Sequence, residues 1–451
     1  MSSKNFDSNG LVNRRSFLKA SSVLPLAMFS TFSPLQQAYS ADSPNERFKI
    51  AFIGCGGMGT WDAHELSAFG DVIALADVDL NRAKACQHNE GVVRKPDECF
   101  VTQDYRRVLD RDDIEVVGIA TPDHWHVKIA VEALLAGKHV FCQKPLTLTI
   151  AENKLIRKAV AQTGKVFQVG TQQRLMKDFF MLSTLMVRKG LIGDVKHITV
   201  YLNTGPKGGP FETTDVPDNL DWDFFLGQAP YVDYCRQRAA GTFRYWYEYS
   251  GGQFTDWGAH HIDCALWAVD QLGEGLGPVE YTALDVAHAS ELDAKGMPKV
   301  DNYYNTAVKF TISAKFANGV EMIVQDASYN GILFEGTEGR IFVDRGRVTG
   351  KPVEENRQSV LTEEDYVALN KGKPIESSKA NFFRCIREGG LPASDVLSHT
   401  YAMNACHLCG ITARLGRTVK WNPHTETIEG DDVAASFISR EQRKGFELPN
   451  L

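Results

Sequence analysis

Short, nearly continuous apolar runs alternate with amphipathic stretches along the first third of the chain. The runs at 49–53, 72–76, 116–120, 139–142 and 166–169 read as strands, while 58–69, 80–88, 105–110, 127–135 and 150–162 carry apolar residues at helical spacing. Strands that are apolar on both faces, separated by amphipathic helices, predict a parallel sheet covered on each side. Beyond Gly170 the pattern changes: a helical stretch at 179–189 leads into strand-like runs at 197–201, 305–312 and 321–325, and a long helical pattern covers 398–415. Strands that alternate apolar and polar residues bury one face only. Residues 171–420 are therefore expected to form an α+β domain with an open, mainly antiparallel sheet, and 421–451 a polar surface tail. The stretch 220–267 is unusually aromatic, and Gly/Pro punctuation at 205–210 predicts a loop at a substrate mouth.

The first apolar run passes directly into Gly54-Cys55-Gly56-Gly57-Met58-Gly59 and then into a helical stretch. In such a turn Gly54 permits the bend, Gly56 lets the backbone approach a pyrophosphate, and Gly59 lets helix and strand pack closely. The helix N-terminus then favours the anion. Residues 48–170 are expected to be a Rossmann dinucleotide-binding domain, an α/β unit with a parallel sheet. Asp77 closes the second strand eighteen positions after Gly59, where a carboxylate accepts both ribose hydroxyls and repels a 2′-phosphate. NAD is thus favoured over NADP, with Arg82 the nearby residue that argues for NADP.

Net charge is −7, and the first forty residues, with Lys4, Arg14, Arg15 and Lys19 against Asp7, carry +3 of it, leaving −10 on the body. An acidic body without a basic stripe excludes nucleic acid as the expected partner. Asn13-Arg14-Arg15-Ser16-Phe17-Leu18-Lys19, the apolar run 23–32 broken by Pro25, and Ala38-Tyr39-Ser40 together resemble a twin-arginine (Tat) export signal. That resemblance implies the Tat machinery as a partner, cleavage near Ser40, and a periplasmic mature protein. The apolar run is too short and interrupted for a stable membrane span. The nine cysteines are odd in number and scattered through apolar runs, which does not form a disulfide framework. Cys406-His407-Leu408-Cys409 has metal-like spacing but lies in a helical pattern without a second ligand pair, so it reads as buried thiols and no metal is expected.

Thr121-Pro122-Asp123-His124-Trp125-His126 follows the run at 116–120, and Gln143-Lys144-Pro145 follows the run at 139–142. With Ala136-Gly137-Lys138-His139-Val140 and Asp256-Trp257-Gly258-Ala259-His260, these phrases resemble the Gfo/Idh/MocA oxidoreductase family over nearly the whole mature chain. The resemblance implies cofactor contacts from Gly54, Gly56, Gly57, Met58, Gly59, Asp77, Thr121, Pro122, Asp123, His126, Gln143 and Lys144. It also implies Lys144, Asp256 and His260 as catalytic residues. Gln143 departs from the family's usual Glu, keeping hydrogen-bonding capacity but removing a charge beside Lys144.

Oxidising a secondary alcohol needs a base for the hydroxyl proton while hydride leaves the same carbon. On one helix Asp256, His260 and Asp263 would share a face, so a carboxylate is expected to fix the tautomer of His260 as general base. Lys144 would stabilise the developing alkoxide. The plain structural alternative is a helix cap at Asp256 followed by a core histidine. Arg174, Arg244 and Tyr247 are assigned to substrate, and His261, turned off that face, to substrate or the helix core. Aromatic faces with forked donors suit a sugar, glycoside or cyclitol.

An exported enzyme that released NADH would lack a supply to replace it, so NAD is expected to be tightly bound and restored within each turnover. Sequence alone leaves three readings: an oxidoreductase passing hydride between two substrates, a redox-neutral glycosidase or lyase working through a transient 3-keto sugar, and a non-catalytic envelope sugar-binding protein. The open sheet of the second domain predicts a homo-dimer or homo-tetramer.

Overall fold

A computed structural model describes residues 47–239, 241–269 and 277–451. The export-like segment 1–40, and with it the cleavage near Ser40, lies outside the described residues. Six parallel strands, β1 (Phe48–Ile53), β2 (Gly70–Ala76), β3 (Phe100–Thr102), β4 (Val116–Ile119), β5 (His139–Cys142) and β6 (Phe167–Val169), form a sheet in the order β3-β2-β1-β4-β5-β6. Helices α1 (Gly57–Ser67), α2 (Leu80–Gln87), α3 (Asp123–Leu135) and α4 (Ile150–Thr163) connect them. The order doubles back between β1 and β4, and ligands bind at such a switch point, outside the strands' carboxyl ends. Local signals set the helix limits: the Thr149 side chain accepts from the Glu152 amide at the start of α4, and Gly164 ends it in the left-handed region at φ 63°. Strand β3 has only three residues, too short to show a period, and the sequence pattern misses it.

The second sheet has nine strands: β7 (Val195–Asn203), β8 (Glu280–His288), β9 (Ala307–Lys315), β10 (Glu321–Ala327), β11 (Gly331–Gly336), β12 (Arg340–Val343), β13 (Val348–Thr349), β14 (Val419–Asn422) and β15 (Thr427–Glu429). Their order is β13-β12-β11-β7-β10-β9-β8-β14-β15, antiparallel except where β7 meets β10. Register aligns Ile312, Val324, Val200, Ile332 and Val343 in one row across five strands, each fully buried. Helices α5 (Gly258–Val269) and α6 (Val396–Leu415) share this core through Ile262, Ala265, Met403 and Leu408. The opposite face carries Tyr201, Ile323, Leu333 and Phe342, all half-buried, with Leu284 and Tyr329 exposed.

Both the second sheet and the first domain use the chain's end. Trp421 in β14 is buried, so the sheet continues past residue 420. Further on, Phe446, Leu448 and Leu451 pack against the core beneath the first sheet, and Lys128 Nζ donates to the Glu447 carbonyl at 2.8 Å.

Candidate active site

A cleft of about 800 Å³ runs along the carboxyl ends of β1, β2 and β4. Its floor is the turn from Gly54 to Gly59, where glycine is required by shape. Gly54 has φ +90°, and a Cβ there would lie 2.6 Å from the Ala120 carbonyl; one on Gly59 would lie 1.8 Å from the Gly54 oxygen. Gly56 and Gly57 have open space instead, and Gly56, at the cap position before α1, offers no side chain, leaving the helix's first amides for an anion. Asp77 sits at the end of β2 with one carboxylate oxygen accepting from the Cys55 amide at 2.6 Å and the other from Asp79 at 2.8 Å. Burial raises its pKa against these two amides. Each oxygen keeps a lone pair for a ribose hydroxyl. These features fit a dinucleotide, with Gly54 to Gly59 holding the pyrophosphate and Asp77 the adenosine ribose. Arg82 pairs with Asp79 at 3.3 Å.

The second domain supplies the opposite wall. Pro217, Asn219, Leu220, Phe224 and Arg244 line it, and its edge is hydrogen-bonded to the first domain. Leu80 N donates to the Asn219 carbonyl at 3.0 Å, Asp221 N to Val78 at 2.9 Å, and Asn219 Nδ2 to Asp79 Oδ1 at 2.6 Å. Sequence reading missed this strap, because nothing local in 217–221 names its partner.

Past the end of the cleft the two domains meet through charge. Lys144 Nζ, just after β5, lies 2.6 Å from Asp256 Oδ1 and 2.9 Å from the Asp256 carbonyl. Arg244 Nε reaches the same Oδ1 at 3.2 Å. Burial works to raise the Asp256 pKa, but Lys144 and Arg244 outweigh it and hold the carboxyl below its ordinary value. His260 is 4% exposed, and burial followed by the charges of Lys144 and Arg345 holds its pKa well below the usual value. It is therefore neutral near pH 7.

Several expected contacts are relocated. The helix does not run unbroken from Asp256: a short helix Gln253–Asp256 stops at Trp257 and α5 starts at Gly258. Neither carboxylate bonds to His260. Asp256 holds Lys144 and Arg244, while Asp263 holds Arg174 in a fork of two 2.7 Å bonds and lies 3.3 Å from His399 Nδ1. Arg174 is thus a 3%-exposed structural cation and not a substrate contact. His261 stacks on Trp257 at 5.6 Å and 8°, fully buried, with burial pushing it down to about 3. It belongs to the core. Tyr247 lies under Arg414, its hydroxyl 3.3 Å from His288, and burial pushes its phenol up to about 12. Its ring and hydroxyl are thus taken up by Arg414 and His288, and of the predicted substrate residues Arg244 is the one bonded to Asp256 beside Lys144.

Gly54, Gly56, Gly57, Met58, Gly59, Asp77, Thr121 and Pro122 line the cleft; Asp123, His126 and Gln143 sit behind it. The ring nitrogens of His126 lie 2.7 Å from the Pro145 carbonyl and 2.9 Å from that of Thr121, so it ties together the loops after β4 and β5. Asp123 accepts from Ser250 Oγ at 2.5 Å, and burial pushes its carboxyl up to about 7. Gln143 Nε2 donates to Asp62 Oδ2 at 2.6 Å, and its Oε1 accepts from the Lys144 amide at 3.2 Å. The other Asp62 oxygen is held by buried Lys379 at 2.5 Å. Asp62 thus brings a carboxylate from α1 against Gln143, and a Glu at 143 would face it directly.

The profile described as an oxidoreductase family with an NAD-binding Rossmann fold matches residues 48–171, and that of its C-terminal alpha/beta domain matches 202–448. The chain belongs to the Gfo/Idh/MocA oxidoreductase family. Its Rossmann domain is NAD-binding. Among curated relatives, the alpha-N-acetylgalactosaminidase of Shewanella oneidensis is 28% identical over 206 residues, 41% of this chain and 45% of that protein. A glycosyl hydrolase family 109 protein of Shewanella sp. strain ANA-3 is 31% identical over 206 residues, 41% of this chain and 44% of that one. The chain thus spans under half the length of these relatives. Of solved structures, the WlbA dehydrogenase from Bordetella pertussis, in complex with NADH and UDP-GlcNAcA, is 15% identical with a TM-score of 0.59, covering 83% of this chain and 99% of that one. Levoglucosan dehydrogenase, in complex with NADH and levoglucosan, is 21% identical with a TM-score of 0.55 over 83% and 99%. These two share the fold with this member of the Gfo/Idh/MocA family.

Proposed function

We propose that this chain moves hydride to or from a secondary hydroxyl of a sugar, glycoside or cyclitol, using NAD that stays bound through turnover. The observation that carries the reading is the Lys144–Asp256 pair at 2.6 Å, which joins the two domains at the end of the cofactor cleft beside a neutral imidazole. NAD, when bound, supplies the hydride acceptor. His260, uncharged near pH 7, takes the hydroxyl proton, and the Lys144 ammonium donates to the oxygen as negative charge develops there. Asp256 positions Lys144 and Arg244 by binding both. The strap from 217–221 to 78–80 supports cofactor retention, since opening the cleft there breaks backbone hydrogen bonds. Export by the Tat route, with a mature N-terminus near Ser40, belongs to the same proposal, because a folded enzyme carries its cofactor out.

The names of the Shewanella relatives favour a second reading, redox-neutral glycoside cleavage. Oxidation at C3 acidifies the C2 proton, the glycosidic group eliminates, water adds, and reduction of the ketone restores the sugar. One experiment tests both. One portion of mature protein purified from the periplasm is denatured for mass spectrometry of released nucleotide, and a second, native portion is assayed without added NAD on nitrophenyl glycosides and on a sugar paired with a keto sugar. Stoichiometric NAD is expected. Cleavage without a second carbonyl substrate selects the glycosidase reading, and hydride exchange between two sugars selects the first. Protein that releases no nucleotide and shows no activity refutes both.

A further inference from the structure

Three cations act on Asp256 at the reacting centre, and a second carboxyl, Asp123, whose pKa burial raises, acts on two of them. Lys144 and Arg244 share Asp256, and Arg244 also lines the cofactor cleft. The third cation, Arg345, comes from the turn between β12 and β13. Its guanidinium carbon lies 4.7 Å from the centroid of the Trp257 ring, and that ring lies 6.1 Å from His260. The acid beside it in the turn is occupied: Asp344 accepts from the amides of Gly346 at 2.8 Å and Arg347 at 3.0 Å and pairs with the Arg347 guanidinium at 3.1 Å. Among the described residues no carboxylate or carbonyl holds the Arg345 guanidinium. The residue is exposed, yet desolvation lowers its pKa, as it does for a group on the wall of a concavity. Its charge acts on His260 and on Asp256.

A guanidinium lying over a ring keeps its N–H donors at its own edge, matched to a planar, bidentate acceptor. A neutral sugar would leave this cation with no bonded carboxylate, only the charge of Asp256 acting on it from a distance. We propose that Arg345 binds a carboxylate of the substrate, so that the sugar is a uronic acid or a glycoside of one. This rests on the functional reading above for the location of the substrate.

The test compares holoenzyme binding of D-glucuronate against D-glucose, and D-galacturonate against D-galactose, by calorimetry, with absorbance of bound NADH recorded separately. The uronate of each pair is expected to bind about 10- to 100-fold tighter, the scale of a charge-assisted pair. Arg345→Gln should bring uronate affinity to within about threefold of the neutral sugar, whereas Arg345→Lys should keep part of the preference. Equal affinity within both pairs, no binding of either uronate, or a preference that survives in Arg345→Gln overturns the proposal. Tighter binding of glucose 6-phosphate than of glucuronate overturns the carboxylate. Absence of NADH absorbance with every sugar counts against the redox reading, and the binding comparison still decides the role of Arg345.

Discussion

The replacement Gln143→Glu introduces a second buried carboxyl beside Asp62, and this structure makes it a damaging change. Gln143 Nε2 is 2.6 Å from Asp62 Oδ2, and both residues are buried. A glutamate there sets two carboxylates together with Lys379 as the one cation bonded to Asp62. Two unit charges about 4 Å apart at an effective dielectric of about 20 interact by about 4 kcal/mol. Lys379 offsets part of this, leaving a loss of about 2–3 kcal/mol at pH 7.5. Protonating either carboxyl relieves it, so the loss should shrink by pH 5.5. The exchanged pair, Asp62→Asn with Gln143→Glu, puts one amide opposite one carboxylate again and should recover at least half of the loss. Urea and thermal unfolding of the four proteins in the cycle at both pH values measures the coupling. Gln143→Glu as stable as the parent at pH 7.5, or an exchanged pair no better than Gln143→Glu alone, would refute the reasoning.

Asp123, pushed up to about 7 by burial, should make stability fall as pH rises. Its folded pKa lies above the unfolded one, so below about pH 4 both states hold the proton and there is no penalty, while above about pH 7 the penalty is complete, about 4 kcal/mol. Asp123→Asn cannot ionise and should gain stability over the parent between pH 5 and 8; parallel melting curves across that range would sink this assignment. The uncovered face of the nine-stranded sheet, with Tyr201, Leu333 and Phe342, should bury itself against a second copy of the chain. Light scattering is expected to show a dimer or tetramer that Phe342→Glu dissociates, and a monomeric parent would reject that role for the face.

The chain's own pattern was enough for its two-domain plan and its nucleotide turn. Apolar strands between amphipathic helices, and a glycine at 59 where a Cβ would strike the Gly54 oxygen five residues back, follow from neighbours in sequence. The phrases around Lys144, Asp256 and His260 were also legible; the fold pairs Lys144 with Asp256, whereas the expected bond between Asp256 and His260 is not made. Partner choice among charges was not legible. Asp263 and Arg174 were both singled out, yet their bond to each other spans 89 positions, and spacing says nothing about such a pairing. Asp62 did leave a trace, as a carboxylate on the apolar side of a helical stretch, but its partners Gln143 and Lys379 lie 81 and 317 residues away. The strap at 217–221 and the turn carrying Arg345 belong to the same class. Secondary structure follows from neighbours a few residues apart, whereas the charge balance of a buried site depends on which distant segments the tertiary fold presses against it.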